Sequence, residues 1–453
     1  MHNFTESLKK LDLKPARLES ISRILLSALG AADPFDVVKK NIVFNDNNLH
    51  IGDKTFPLYP DSQILLVSIG KAAYAMAKAA QSQLGQRISD GVIVCKHHPG
   101  DAVSTSPLRL LLGSHPVPDQ NSVEAAEEIR HLLEKSKQND VVVFLVSGGG
   151  SSLVCLPAPG ITLQDMQKAT SLLLASGASI NEMNSVRKHL DLFKGGGFLK
   201  LAAPARVGAL VISDVVNSPL DVIASGPAVP DPSTFFDAKT ILDKFIEKSD
   251  LPESIRLRVE SGCQGQVEET LKPFDEISAT ASHTVIASNL ISAKSALKQA
   301  IQEGFQAELI NCELTGEAQQ AGIFMTRQLK KVSPLGRPFV GIAGGETTVR
   351  VRGSGLGGRN LEVALSAVAE LDGLHNSLLI TLATDGEDGP TDAAGAYVTG
   401  ETFRQAVSMG LDPAEYLRNN DAYHFFEKVG SLIKTGPTGT NVNDLNFIFR
   451  LPE

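Results

Sequence analysis

Residues 63–84 have the sequence QILLVSIGKAAYAMAKAAQSQL, in which an apolar run gives way to a helical pattern at a glycine and a lysine. The first part is short and apolar, which is typical of a strand buried on both faces of a parallel sheet. The second part has helical periodicity and predicts a crossover helix. This unit of strand, turn and helix predicts an α/β fold, with Gly70 and Lys71 at the turn.

The same alternation of strand and helix continues along the chain. Further strands are predicted at GVIVCK (91–96), VVVFLVSGGG (141–150) and VGALVISD (207–214), and later at TVIASN, AELINCEL, PFVGIAGGE and LLITLATDG. Because 453 residues exceed one ordinary core, we predict two α/β domains with mainly parallel sheets and an active site in the cleft between them. The predicted domains are residues 1–265, which are Rossmann-like, and a smaller one at 266–453. The last strand, LNFIFR (445–450), is compatible with either sheet.

Composition excludes several classes of protein. A formal net charge of -9 argues against binding to nucleic acid or to anionic lipid, since both need a surplus of Lys and Arg. The longest apolar runs are well short of the roughly 20 residues that cross a bilayer. Four cysteines without a CxxC pair indicate neither a zinc site nor a disulfide framework. We therefore expect a cytoplasmic protein with reduced thiols.

Two segments of the first half offer groups that bind anions. Ligands of open parallel sheets bind at the carboxyl ends of the strands. The turn after the first strand presents backbone N–H groups and the Lys71 ammonium, although a solvated lysine is the alternative. The loop after the third strand can wrap phosphate oxygens, or it can be a plain tight turn. Its residues are Ser147, Gly148, Gly149, Gly150, Ser151 and Ser152.

Charged residues follow this loop along the chain. In NEMNSVRKHL, residues Asn184, Arg187 and Lys188 form a basic cluster that suits a carboxylate or phosphate, or else a solvated helix face. The fourth strand ends at Asp214, which can accept a hydroxyl proton or serve as a cap. Asp221, seven residues later, is the alternative base, and His115, before a proline, is assigned to shaping a loop.

The second half contains a cation and three acids at similar places. GGETTVRVRGSGLGGRN places Glu346 after a strand and puts Arg359 and Asn360 at a helix start, which suits a transferring phosphoryl group. LATDGEDGPTDAAGA contributes Asp385 and Asp388, whose oxygens suit Mg²⁺, with a solvated acidic loop as the alternative.

Seven motifs in one order resemble those of the glycerate 2-kinases whose C-terminal half is a MOFRL-type domain. They are GKAA, SGGGSSL, NxVRKHL followed by KGG, ISDVV with VIASGP, GGETTV with GGRN, ATDGxDGPTDAAGA and TGPTGTNVND. The resemblance implies two α/β domains and phosphorylation of D-glycerate to 2-phosphoglycerate by ATP with Mg²⁺. It implies that Lys71 and Arg359 are catalytic cations and that Asp214 is the general base. Where the family commonly has Gly-Asp after SDVV, this chain has Asn217-Ser218, which leaves Asp214 and Asp221 as the acids available there.

Two other functions compete with the kinase. One is an NAD(P)H-dependent hydroxypyruvate reductase, but no dinucleotide-binding fingerprint follows any predicted strand. The other is a non-catalytic protein that binds a nucleotide or a sugar acid. For the kinase, the expected partners are the small molecules D-glycerate and ATP, and the oligomeric state is left open, with a homodimer as one alternative.

Overall fold

The computed structural model describes residues 6–11, 13–98, 100, 106–332 and 336–452. Its contacts divide the chain into two compact units. The first unit comprises Pro34–Ile286, and the second unit combines the chain up to Asp33 with the chain from Ala287 onward. The division at residue 265 stays a prediction about where independently folding domains begin. Within the described ranges, no helix is long and apolar enough to cross a membrane.

The elements are numbered in chain order. Those before Asn289 are α1 (Pro15–Gly30), α2 (Pro34–Asn41), β1 (Ile42–Asn45), β2 (Asn48–Ile51), β3 (Lys54–Pro57), β4 (Ile64–Ile69), α3 (Ala73–Leu84), β5 (Ile88–Cys95), β6 (Leu108–Leu112), α4 (Gln120–Leu133), β7 (Val141–Val146), α5 (Gly150–Leu153), α6 (Leu163–Ala175), α7 (Ile180–Leu190), α8 (Gly197–Ala202), β8 (Arg206–Ile212), α9 (Phe235–Phe245), α10 (Glu253–Cys263) and β9 (Ala281–Ala287). Three 3₁₀ helices also occur here, at Gly85–Arg87, Ile223–Ser225 and Glu276–Thr280.

The remaining elements belong to the second unit, as does α1. They are α11 (Asn289–Gln302), β10 (Gln306–Glu317), α12 (Ala318–Lys331), β11 (Phe339–Thr348), α13 (Arg359–Leu371), β12 (Ser377–Ala383), β13 (Gly395–Thr399), α14 (Thr402–Ser408), α15 (Pro413–Arg418), α16 (Ala422–Val429), β14 (Leu432–Ile433) and β15 (Asp444–Arg450).

The first unit is built on a six-stranded sheet in the order β6-β5-β4-β7-β8-β9. Strands β4 to β8 of this sheet run parallel, and Ile69 at the end of β4 is in register with Val94 and Val146. Every residue of β4 and of β7 is buried, as their apolar sequences predict. This register brings the loops after β4, β7 and β8 to one edge of the sheet.

Two smaller pieces complete the first unit. Strands β1, β2 and β3 form a separate antiparallel sheet. Helices α6, α7, α9 and α10 share an apolar cluster that contains Met166, Val186, Leu242 and Ile255. This cluster fixes α7, which contributes polar side chains to the loop after β7.

The second unit has a mixed six-stranded sheet in the order β10-β11-β15-β12-β13-β14. The prediction of two α/β domains is confirmed, but only β10 and β11 pair in parallel here. The difference arises because LNFIFR enters the centre of the sheet antiparallel, where Phe447 is in register with Ile342 and Ile380. A strand that is apolar on both faces is best buried in a central position. As a consequence, Asp444 at its start lies between the carboxyl ends of β11 and β12.

Helix α1 packs against α11 and completes the second unit. Leu25 and Ala28 of α1 share a buried apolar cluster with Ala296 of α11. Arg23 adds a two-bonded ion pair at the edge, with its Nε and Nη2 at 2.6 and 2.8 Å from the Glu303 carboxylate. Helix α1 is therefore held by residues that follow about 270 positions later.

Candidate active site

The turn after β4 is fixed against the loop after β7 by backbone hydrogen bonds. Lys71 N–H donates to the Gly148 carbonyl oxygen at 2.9 Å, and Ala72 N–H donates to Ser147 Oγ at 3.0 Å. Gly70 has φ +119°, and a β-carbon there would lie 2.2 Å from Ser147 Oγ. Only glycine fits this close approach, so the turn and the loop form one unit.

Three side chains converge on the glycines of this loop. A β-carbon built on Gly148 would lie 2.1 Å from Asp214 Oδ2. One built on Gly149 would lie 3.0 Å from His115 Cδ2 and 3.4 Å from Lys71 Cγ. The predicted residues Lys71 and Asp214 are thus brought to the same loop, together with a histidine that the sequence assigned to shaping a loop.

The charges around this loop are mainly positive. Lys71 is exposed, and its side chain lies at the same loop as His115. Burial lowers the pKa of His115, and the ammonium groups of Lys71 and Lys96 lower it further, which favours a neutral imidazole. An exposed ammonium beside backbone N–H groups and a neutral imidazole is suited to binding a small anion.

Serine hydroxyls connect the loop to α7. Ser151 Oγ lies 2.8 Å from Ser225 Oγ and accepts a hydrogen bond from Arg187 Nη2 at 3.1 Å. Ser225 Oγ in turn donates to Asn184 Oδ1 at 3.2 Å. Burial lowers the pKa of Arg187, and the Asp191 carboxylate opposes that shift. Arg187 thus bonds the loop directly and Asn184 through Ser225, while Ser152 Oγ donates to the Gly149 carbonyl oxygen at 3.2 Å.

Lys188 differs from its neighbours because its charge is already paired. Its buried Nζ lies 3.2 Å from Asp231 Oδ1 and 3.9 Å from Asp221 Oδ2. Sequence reasoning missed Asp231, which stands before a proline and has no motif around it. The alternative base, Asp221, therefore shares a lysine with a buried aspartate, whereas Asp214 lies against the Gly148 backbone.

In the second unit, Arg359 begins α13 and meets two carboxylates. Its Nη1 donates to Glu346 at the end of β11, and its Nε lies 3.2 Å from Asp444 Oδ2. The two carboxylates raise the pKa of Arg359 against the effect of burial. Arg359 and Glu346, both predicted, are brought together, and Asp444 comes from the TGPTGTNVND motif, whose oxygen-rich side chains were predicted to suit Mg²⁺.

Asp388 caps the start of α13. Its Oδ1 accepts from the Asn360 N–H at 3.0 Å and its Oδ2 from the Leu361 N–H at 2.7 Å. Asn360 Nδ2 also donates to Asp388 Oδ1 at 3.3 Å and to Asp444 Oδ1 at 2.8 Å. Burial raises the pKa of Asp388 to about 6 and that of Asp444 to about 7. Both oxygens of Asp388 are therefore used within the protein.

Asp385 is the more accessible of the two acids predicted to bind a metal. It is partly exposed after β12, and its Oδ1 accepts a hydrogen bond from the Glu387 N–H at 3.2 Å. Among the described residues, no group of three or more His, Cys, Asp or Glu side chains is arranged to hold a metal ion.

Several buried polar atoms around Asp444 have no hydrogen-bond partner within the described parts of the chain. They are Asp444 Oδ2, Asn289 Oδ1, Asn360 Oδ1 and Asn443 Nδ2. Such atoms are uncommon in folded proteins and usually mark bound water or a ligand. The neighbourhood of Arg359 is thus polar well below the surface.

The sequence of this chain matches two known protein families. Residues 20–260 match a domain of unknown function, DUF4147, and residues 339–444 match the MOFRL family. The D-glycerate 2-kinase of Thermotoga maritima is 45% identical over 419 residues, which cover 90% of this chain and 96% of that protein. The glycerate 2-kinase of Pyrococcus horikoshii is 41% identical, covering 93% and 95%. A putative hydroxypyruvate reductase of Agrobacterium vitis is 37% identical, covering 94% and 93%.

Solved structures show the same fold. A Pyrococcus horikoshii protein superposes with a TM-score of 0.86 at 39% identity, covering 98% of this chain and all of that one. The crystal structure of a glycerate kinase from Thermotoga maritima superposes with a TM-score of 0.83 at 40% identity, covering 96% and 99%. The similarity therefore extends over nearly the whole of both chains.

Proposed function

This chain belongs to the glycerate kinase family, and from that premise we propose that it transfers the γ-phosphoryl group of ATP to the 2-hydroxyl of D-glycerate. The products are 2-phosphoglycerate and ADP. The observation that supports this most strongly within the chain is the convergence of Lys71 and Asp214 on the glycine–serine loop at 147–152. It combines a cation for an anionic substrate with a base for its hydroxyl.

In the first unit, Lys71 and the N–H groups of the loop hold the substrate carboxylate or phosphate oxygens. Asp214 accepts the proton of the 2-hydroxyl as its oxygen attacks the γ-phosphorus and the bond to ADP breaks. The carboxylate suits this task because its Oδ2 lies against Gly148, where a substrate held by the loop would be within reach. Arg187 and Asn184 keep the loop in place through Ser151 and Ser225.

In the second unit, Arg359 neutralises charge on the transferring phosphoryl group. A guanidinium at the start of a helix adds a fixed cation to the positive end of the helix dipole. Phosphoryl transfer needs mainly positioning and electrostatic stabilisation, so the loss of either cation lowers the rate of transfer.

Mg²⁺ is an expected partner of the nucleotide. The described residues fit it only in part, because Asp388 uses both oxygens on α13, while Asp385 keeps a partly exposed carboxylate. Mg²⁺ commonly takes one or two carboxylates together with substrate phosphates and water. We therefore favour Asp385 over Asp388 as the protein ligand; the bound ion would neutralise phosphate charge.

Hydroxypyruvate reduction is the alternative, because a similar Agrobacterium vitis protein carries that putative name. The turn after β4 has the sequence SIGKAAYAM, which lacks the GxGxxG spacing used to bind a dinucleotide pyrophosphate. The turn is instead locked by Ser147 in contact with Gly70. We infer that the kinase reaction is the better match to this site.

One experiment separates the two activities. Purified protein is incubated with D-glycerate, ATP and Mg²⁺, and separately with hydroxypyruvate and NADH or NADPH, while ADP and the reduced cofactor are followed. Phosphorus NMR of the product distinguishes phosphorylation of the 2-hydroxyl from that of the 3-hydroxyl. The proposal would be rejected if hydroxypyruvate caused oxidation of NADH or NADPH while D-glycerate and ATP gave no ADP.

Variants then test the roles of the two cations. Lys71→Met and Arg359→Lys should each lower kcat by on the order of 10²-fold, since each removes a contact to the transition state. Lys135→Met is the matched control, because Lys135 is exposed near the opposite, amino end of β7. Near-normal turnover in both active-site variants would remove these residues from the mechanism. A cytoplasmic location and a homodimer stay predictions, to be checked by fractionation and by light scattering.

A further inference from the structure

The two carboxylates on Arg359 differ in how firmly the protein holds them. The Asp444 side chain is 6% exposed, whereas the Glu346 side chain is 43% exposed and that of Arg359 itself is 34% exposed. Asp444 meets Nε, and Glu346 meets Nη1. One partner is therefore buried beside the root of the guanidinium, and the other lies at its solvent-facing end.

Asp444 is held by hydrogen bonds at its Oδ1 and its main-chain oxygen, whereas its Oδ2 has no hydrogen-bond partner among the described residues and faces Arg359 Nε as an ion pair. Its Oδ1 accepts from Asn360 Nδ2 at 2.8 Å, and its main-chain oxygen accepts from Asn289 Nδ2 at 2.8 Å. As the first residue of the central strand β15, it is in register with Gly345 and Ala383. Burial and these two hydrogen bonds restrict the position of the Asp444 carboxylate.

Glu346 is held much less firmly. Its only hydrogen bond among the described side chains is the one to Arg359, and an exposed ion pair contributes little to stability. Arg359 Nη2 has no acceptor among the described residues, so that moving Glu346 away would free the whole Nη1–Nη2 end. That end is the fork that matches two oxygens of a carboxylate or phosphate.

We propose that Asp444 is a positioning residue that holds Arg359 by Nε, and that Glu346 is an internal stand-in for the anionic ligand, which displaces it from the Nη end. The inference rests on the proposed phosphotransfer and gives the two acids beside Arg359 different roles in it. In the absence of ligand, Glu346 neutralises the guanidinium. When phosphate or carboxylate oxygens arrive, the cation changes partner while its Nε remains on Asp444.

The two acids should therefore give opposite results when each is made neutral. Glu346→Gln removes a competitor, so the KM for the anionic substrate should fall by about twofold to fivefold, the range of an exposed ion pair, with kcat little changed. Asp444→Asn keeps an oxygen for Asn360 but loses the charge that orients Arg359. Its kcat should fall by on the order of 10²-fold, with a smaller change in KM.

A matched control and a double variant separate positioning from general damage. Asp372 lies 3.2 Å from Arg404 Nε beyond the other end of α13, so Asp372→Asn removes the same kind of pair away from the site and should leave the kinetics unchanged. In an Arg359→Ala background, Asp444→Asn should cause no further loss of kcat. A merely structural role would give additive losses and a lower melting temperature instead.

Failure of this inference can be distinguished from failure of the proposed kinase activity. If the unmodified chain phosphorylates D-glycerate, a raised KM for Glu346→Gln or an unchanged kcat for folded Asp444→Asn overturns the inference alone. If the chain has no kinase activity, NMR of arginine Nε–H groups tests whether Asp444 holds Arg359. The Arg359 signal, assigned by its loss in Arg359→Lys, should shift and exchange faster in Asp444→Asn but not in Glu346→Gln, and the reverse pattern overturns the inference.

Discussion

The replacement Gly148→Ala tests whether the position of Asp214 matters for turnover. A β-carbon at residue 148 would lie 2.1 Å from Asp214 Oδ2 and 2.8 Å from its Cγ, whereas ordinary contacts begin at 3.4 Å. The carboxylate must therefore retreat by about 1.3 Å, or the loop must move by as much. Displacements of about 1 Å in a catalytic group can lower turnover by on the order of 10²-fold, or about 2.7 kcal/mol in activation free energy.

The assay is ADP formation at saturating D-glycerate and ATP, with a thermal melt on the same samples. Gly30→Ala, at the end of α1, is the matched control because no atom lies within 4 Å of its added β-carbon. We expect normal turnover for the control and a large loss of kcat for Gly148→Ala at a melting temperature that still leaves the protein folded at assay temperature. A folded Gly148→Ala variant with kcat within about threefold of the unmodified protein would refute the argument.

Three further outcomes concern stability and reactivity. Asp191→Asn leaves the buried Lys194 ammonium unpaired and should lower the free energy of unfolding by about 3–5 kcal/mol in a urea titration, and a change below 1 kcal/mol would contradict this. Exposed Cys263 should react with a maleimide well before Cys95, because burial raises the pKa of Cys95 to about 11; equal rates in the folded protein would count against the described burial. The Arg23 guanidinium on α1 lowers the pKa of Glu303 to about 2. The stability that this ion pair contributes is therefore complete above the ordinary carboxyl pKa and is lost as pH falls toward 2. The gap in melting temperature between the unmodified protein and Glu303→Gln should accordingly narrow below about pH 4.5, and a gap that widens there would be inconsistent with this ion pair.

The sequence predicted the part of the site that depends on strand ends. Lys71 and the loop at 147–152 follow buried parallel strands, and parallel strands necessarily deliver their carboxyl ends to one edge. The approach of Asp214 to that loop follows from the same rule, because β8 is the next strand in the sheet. These contacts needed only the order of strands, which the apolar runs indicated.

Other contacts could not be predicted because they depend on burial and on distant pairing. Asp444 meets Arg359 only because β15 enters the sheet between β11 and β12, and both sheets were compatible with its sequence. Lys188 looked like its neighbour Arg187 on a basic helix, yet only Lys188 is paired with the buried Asp231. No spacing in the sequence distinguishes a cation that faces a ligand from one neutralised in the core.

The N-terminal helices, the sheet of β1 to β3, α9 and α10 were not predicted. Their sequences mix polar and apolar residues without the long apolar runs of the central strands, and Lys54–Pro57 ends in a proline. Helix α7 ends at Leu190, where Asp191 accepts a hydrogen bond from the Phe193 N–H and pairs with Lys194. No pattern in the sequence indicated this buried ion pair.

The attachment of α1 to α11 has a consequence for how this chain can be divided. The backbone passes between the two units twice, near Asp33 and near Ala287. A single cleavage of the chain therefore never separates two intact units, since any fragment that begins after α1 lacks a helix that packs on the core of the second unit. During synthesis on a ribosome, α1 is made some 250 residues before the rest of the second unit, against which it packs. A circularly permuted gene that starts near residue 287 would make α1 and the rest of that unit consecutively.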